Sequence, residues 1–230
     1  MHKSDVRKEI ADRVLKRRSR YHLFDTLDPK RTVNVVVDMQ NMFCEPGAPA
    51  EVPEARSICT NINRLNAELR RLGGKVIWIT SAATSDGTGS EWAMFVDNFV
   101  AAEVRSQTID YMKPNGHGQK LWQELVPEPK DMLITKNRYS CFTPGSSSLE
   151  RVLRSYKIEN VLITGTKTNV CCESTARDAM QLDYKTVMVS DGCAALSDDE
   201  HRAALENVIQ QFGDVMTTDE VIAVMRKKPN

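Results

Sequence analysis

Five short runs of β-branched and aliphatic residues recur along the chain, at 33–39, 75–80, 131–136, 160–165 and 186–191, with a weaker sixth at 214–217. None alternates polar with apolar residues. That is the pattern of strands buried on both faces, which belong to parallel sheets. Helix-like patterns fill the intervals. Ile58, Ile62, Leu65, Leu69 and Leu72 step by 4, 3, 4 and 3 and stop at Gly73-Gly74, one apolar helix face with its terminator. Leu149, Val152 and Leu153 begin a shorter face. Ser197 with Glu200, and Thr217 with Glu220, are capping boxes that open the last two helices. Val6, Ile10 and Val14 lie on a basic N-terminal helix, expected on the outside of the domain or against a partner subunit. A length of 230 residues with no repeat, low-complexity tract or linker suits one large α/β domain, residues 31–230, behind a helical extension of residues 1–30.

The charge balance excludes several classes of function. Lys+Arg and Asp+Glu both number 31, so there is no basic field to hold a nucleic acid. The first residues are charged throughout, unlike a secretory leader, and no apolar run reaches the roughly 18–20 residues of a membrane span. The six cysteines form no C-x-x-C pair, and the four histidines lie far apart, so neither a zinc site nor any other metal or cofactor is expected. A reducing cytoplasm is the expected compartment. Residues 81–116 are the least regular, with a flexible loop at 84–90 ahead of Trp92, Phe95 and Phe99.

In a parallel sheet, functional residues gather at the carboxyl ends of the strands. Here Asp38 ends the first run, Lys136 ends the third, and the fourth runs through Gly165 and a small polar turn to Cys171. Cys171 is expected in the first helical turn, with Thr168 or Asn169 as cap, where unpaired N–H groups favour a thiolate and can hold an oxyanion. An ammonium beside the thiol would steady the anion, and a carboxylate could take its proton. Taken singly, each residue has a plainer reading: a core cysteine, a snorkelling lysine, a turn aspartate. Their joint placement on one sheet edge is what points to chemistry.

These segments resemble the isochorismatase-like cysteine hydrolases. The match lies in Val35-Val36-Val37-Asp38-Met39-Gln40, Thr135-Lys136-Asn137-Arg138-Tyr139-Ser140, Gly165-Thr166-Lys167-Thr168-Asn169-Val170-Cys171 and Glu173-Ser174-Thr175-Ala176-Arg177-Asp178-Ala179, in that order. It runs from about Thr32 to the last helix and omits the N-terminal extension. It implies a three-layer αβα Rossmann-like fold with a six-stranded parallel sheet. It also implies an Asp38–Lys136–Cys171 triad, a cis peptide at Thr166–Lys167, and an oxyanion hole of the Lys167 and Cys171 N–H groups. A homodimer or homotetramer is implied as well. Where the family often carries a small residue, this chain has Lys167. Cys171 argues against the vinyl-ether hydrolysis of cysteine-free members. The segment 80–90 holds Asp86 but no histidine, which argues against the metal site of nicotinamidases. The stretch Tyr139-Ser140-Cys141-Phe142 and the nucleophile loop look most like the ureidoacrylate and N-carbamoyl amidohydrolase branch.

The expected activity is cysteine-dependent cleavage of a C–N bond in a small amide, ureido or carbamoyl compound through a covalent thioester-type intermediate. Asn41, Phe43, Trp78, Tyr139 and Phe142 are the expected substrate-binding residues, with Trp92 and Phe95 as further wall candidates. Each aromatic could equally be core. Arg138 could meet a substrate carboxylate or form a surface salt bridge. The competing reading is an idle member of the fold that only holds a ligand or partner. Redox pairing of Cys171 with Cys172 is poorer, because adjacent cysteines form strained disulfides. Cys172 is expected to face the core.

Overall fold

The apolar runs become six strands of one all-parallel sheet: β1 (Thr32–Val37), β2 (Lys75–Ser81), β3 (Met132–Lys136), β4 (Asn160–Thr166), β5 (Lys185–Ala194) and β6 (Asp214–Met216), in the order β3-β2-β1-β4-β5-β6. The computed structural model describes residues 2, 6–85 and 90–227. Asp86 and most of the loop expected at 84–90 lie outside the described residues. The helices among the described residues are α1 (Lys8–Arg18), α2 (Asn41–Cys44), α3 (Cys59–Arg71), α4 (Ala93–Asn98), α5 (Ala102–Tyr111), α6 (Leu149–Ser155), α7 (Glu173–Gln181), α8 (Asp198–Asn207) and α9 (Thr218–Arg226). None is long and apolar enough to cross a membrane.

Strand alternation divides the apolar residues between two cores. Val35, Val37, Ile79 and Ile163 face α1, α6, α7 and α8. Val36, Trp78, Leu162 and Val187 face α3 and α9. With both faces covered, β1 and β4 are buried at every residue. Asn34 is a buried polar residue in the middle of β1. It is tolerated because its side chain donates to Asn66 Oδ1 on α3 at 2.7 Å and accepts from Thr164 Oγ1 at 3.2 Å. The edge strand β3 departs from the expected two-sided burial. Leu133 is 64 % exposed, because no helix among the described residues covers that face there.

Of the two expected capping boxes, the one at Thr217 forms in full and the one at Ser197 forms by its N-cap half. Thr217 and Glu220 satisfy each other's backbone N–H groups, and Ser197 accepts from the Glu200 N–H. Among the described residues, α1 packs on its own chain. Ile10 and Val14 enter a core, and Arg7 Nε grips Glu206 at 2.8 and 3.1 Å. β5 outruns its expected end near Asp191, reaching Ala194 across a register break that lets Gly165 pair with Cys193.

The chain lays β2 and β3 on one side of β1 and then returns to place β4 on the other. The strand order therefore reverses between β1 and β4, and a crevice opens at their carboxyl ends. The two strands approach closely there. Gly165, at φ +113°, sits where a Cβ would lie 2.0 Å from the Val37 carbonyl oxygen.

Candidate active site

Asp38 is the first residue past β1. Its backbone turns to φ +55°, and its N–H donates to the Ile79 carbonyl at 2.9 Å. This turn keeps a fully buried carboxylate at the crevice. Lys136 ends β3 two strands away and is 1 % exposed, long enough to reach under β2 to the same point. Its Nζ lies 2.8 Å from Asp38 Oδ2. Nζ also donates to Ser81 Oγ at 2.8 Å, to the Arg138 carbonyl at 3.1 Å and to Cys171 Sγ at 3.5 Å. Ser81, which ends β2, donates its own hydroxyl to Asp38 Oδ1 at 2.9 Å. One carboxylate, one ammonium, one hydroxyl and one thiol thus share a buried cluster.

Cys171 sits on a π-helical turn, Thr168–Cys172, that leads into α7. Neither Thr168 nor Asn169 caps it, contrary to expectation. Thr168 Oγ1 is instead paired with His201 Nδ1 of α8 at 2.9 Å. The Thr166–Lys167 peptide ahead of the turn is cis. All six cysteines are free and buried, and Cys171 alone among them lines the cavity described below. Cys172 faces the core toward the Thr164 carbonyl, at 4.0 Å.

Burial pushes the Cys171 thiol well above its ordinary pKa. Lys136 opposes that shift and the Asp38 carboxylate reinforces it. The resting group is therefore a neutral thiol beside a proton acceptor, rather than the free thiolate expected from the helix start alone. Burial also works against the charge of Lys136, but the neighbouring Asp38 carboxylate overrides it and holds the ammonium above its usual range. Cys141, pushed up to about 11 by burial, packs against Thr175 in the core and does not reach the cavity.

A cavity of about 130 Å³ opens onto Ser81, Lys136 and Cys171, with Lys167 and Val170 beside them. Its outer wall is Met42, Phe43, Ala50, Trp92, Phe95, Met112 and Tyr139. The cavity thus includes Phe43 and Tyr139 of the five residues read as substrate-binding. Trp78 is not there: within β2 it alternates to the α3 face, where it is 1 % exposed and donates Nε1 to Asp131 Oδ2 at 2.8 Å. Phe142 stacks on Tyr184 in the opposite core, centroids 5.9 Å apart. Asn41 opens α2 and donates Nδ2 to the His117 carbonyl at 3.1 Å, away from the cavity lining. Arg138 donates to the Asn137 and Glu91 carbonyls at 2.7 and 3.1 Å and lies 5.3 Å from the Trp92 ring, so its guanidinium clamps the wall.

Ser81 and Gln40 went unread in the sequence. Ser81 had a signal: it closes β2 in register with Lys136, on the edge that carries the other three groups. Gln40 accepts from the Ser81 N–H at 2.6 Å and donates to the Ser81 and Gly118 carbonyls, both at 2.9 Å, fixing that strand end.

The isochorismatase domain profile matches residues 32–220, and the chain belongs to that family. Over 208 residues it is 33 % identical to the ureidoacrylate amidohydrolase RutB of Pseudomonas savastanoi pv. phaseolicola, covering 84 % of this chain and 83 % of that one. Its fold is similar to a cysteine hydrolase from Pseudomonas syringae pv. phaseolicola, at 30 % identity and TM-score 0.78 over 86 % of this chain and 94 % of the other. An N-carbamoylsarcosine amidase from Thermoplasma acidophilum is similar at 25 % identity and TM-score 0.64, over 82 % and 97 % of the two chains.

Proposed function

We propose that the protein is a cysteine-dependent amidohydrolase with Asp38, Lys136 and Cys171 as its catalytic residues. The observation that carries this reading is the buried contact set of Lys136 Nζ, 2.8 Å from Asp38 Oδ2 and 3.5 Å from Cys171 Sγ, at the edge of a cavity. A lysine and an aspartate are costly to bury for packing alone. The hydrolases among the relatives act on amide and ureido C–N bonds by name, in keeping with this chemistry.

In the proposed reaction the Cys171 thiol proton passes to Asp38 as Sγ attacks the carbonyl carbon. Lys136 stays an ammonium and balances the carboxylate before transfer and the sulfur as charge develops on it. The carbonyl electrons move onto oxygen, which the Lys167 and Cys171 N–H groups receive. Collapse breaks the C–N bond, and Asp38 returns the proton to the departing ammonia or amine. Water, deprotonated by Asp38, then hydrolyses the thioester (a thiocarbamate from a ureido substrate) and regenerates the thiol. Removing one donor from such an oxyanion hole typically costs about 10²–10³ in rate.

The test is ammonia release from a panel of primary amides, ureido acids and carbamoyl amino acids, with Cys171→Ala as the blank. The expected result is turnover of at least one class by the wild type and none above background by the variant. Equal release by both proteins would overturn the assignment.

A further inference from the structure

A fold with one sheet and two helical layers needs two apolar cores, and this chain builds a third. Met42, Ala83 and Met112 bury against one another beyond the carboxyl ends of β1–β3, with Phe43, Trp92 and Phe95 packed on them. Most of these residues are the cavity wall. The wall is also braced. Trp92 stacks on Phe95 with centroids 4.8 Å apart, and Tyr139 meets Trp92 edge-on at 4.7 Å. Ring clusters of this geometry form a rigid apolar surface.

The polar inventory of the cavity is short: the lining side chains with a polar group are Ser81, Trp92, Lys136, Tyr139, Lys167 and Cys171. Ser81 and Lys136 are already engaged with Asp38. Among the described residues, no Asp, Glu, Asn or Gln lines the cavity, and Lys167 is its one charged lining residue outside the catalytic cluster. A ureido tail lodged here would leave N–H groups facing rings and thioethers, and an unpaired buried polar group costs roughly 1–3 kcal/mol. An apolar acyl group brings no polar group of its own that needs a partner there. Size sets a second limit. A cavity of roughly 150 Å³ accepts benzene, and this one measures about 130 Å³.

We propose that the cavity selects primary amides whose acyl group is uncharged and apolar, no larger than about one six-membered ring or a branched chain of about four to five carbons, in preference to ureido acids. This rests on the amidohydrolase reading above and narrows its substrate class. Ala50, a small residue in the wall, sets the depth available to the acyl group.

The experiment measures kcat/KM of the full chain for acetamide, isobutyramide, isovaleramide, benzamide, decanamide, 3-ureidoacrylate and N-carbamoylglycine. The expected result is a rise of about three- to fourfold per methylene from acetamide to isovaleramide. Benzamide should fall near isovaleramide, decanamide well below it, and both ureido acids at least tenfold below it. Ala50→Leu should move the optimum to shorter acyl groups, mainly by raising KM. Phe95→Ala should move it to longer ones. The two opposite shifts separate a change of cavity size from a general loss of folding. Ureido acids turned over as well as or better than isovaleramide, with Lys167→Met abolishing that advantage, would overturn the proposal and leave the amidohydrolase intact. A rate independent of acyl length would overturn it too. Absence of any Cys171-dependent release from the whole panel is the separate result that removes the amidohydrolase reading.

Discussion

Ser81 is the smallest group in the buried polar cluster and bridges its two charges. It donates to Asp38 Oδ1 and accepts from Lys136 Nζ, so it fixes the rotamers of both. Ser81→Ala should therefore fold and lose about 10–10²-fold in kcat, since misplacement of reacting groups by even 1 Å is costly. Steady-state kinetics beside a urea titration would separate the two effects. Lys136→Met should do more, because it strands a fully buried carboxylate. Removing one partner of a buried pair typically costs about 3–5 kcal/mol, which chemical denaturation would read directly. The sign of the lysine shift adds a pH prediction. Its native pKa is raised, so its stabilising charge is fully present below the unfolded value of 10.5 and is lost only as pH rises through the higher native one. The kcat/KM profile should accordingly show no alkaline limb from Lys136 below about pH 10. At this scale Asp38, Lys136 and Cys171 were legible because each ends a strand or follows one. Trp78 was misplaced because one step along a strand reverses the face. Its neighbour Ile79 points to one core and Trp78 to the other.

The strands were legible as elements because burial on both faces fills them mainly with β-branched and aliphatic residues and leaves no regular polar alternation, as β1 and β4 show. The edge strand was legible as a strand but not as an edge, since Leu133 is apolar yet exposed. Helices α3, α6, α8 and α9 followed from apolar spacing and from Ser197 and Thr217. The cavity wall did not. It is made by a four-residue helix, α2, by the start of α4, and by Met112 just past α5. Such pieces have too few turns to show a periodicity, and their places are set by distant partners: the Asn41 N–H donates to the Lys120 carbonyl, and the Met112 carbonyl accepts from the Ala83 N–H. Two elements carry predictions. Thr217→Ala removes the capping box of α9 and should cost about 1 kcal/mol, lowering the urea midpoint without changing KM. Ile10→Ala should cost about 2 kcal/mol or more by emptying a core position under α1, and thermal unfolding would show it.

Across the molecule, the turn that carries Cys171 is tied to α8 through Thr168 and His201. Burial lowers the His201 pKa from 6.5 to about 4, with its stacked neighbour His2 acting in the same direction. A depressed base sets the sign: on acidification the unfolded chain takes the proton first. Stability is full above about pH 6.5 and falls as pH drops toward 4. Urea midpoints measured at neutral pH and near pH 4.5 should differ for the wild type. The difference should shrink in His201→Gln, and an unchanged difference would assign the acid sensitivity to the carboxylates instead.

The reversal of strand order between β1 and β4 has a kinetic consequence. β2 can join β1 across the segment that carries α2 and α3, whereas β4 must wait for a far longer segment to close before it docks beside Val37. Native thiol protection and catalysis are therefore born together, in the late event that zips the two halves of the sheet. During refolding, helical circular dichroism should recover ahead of both.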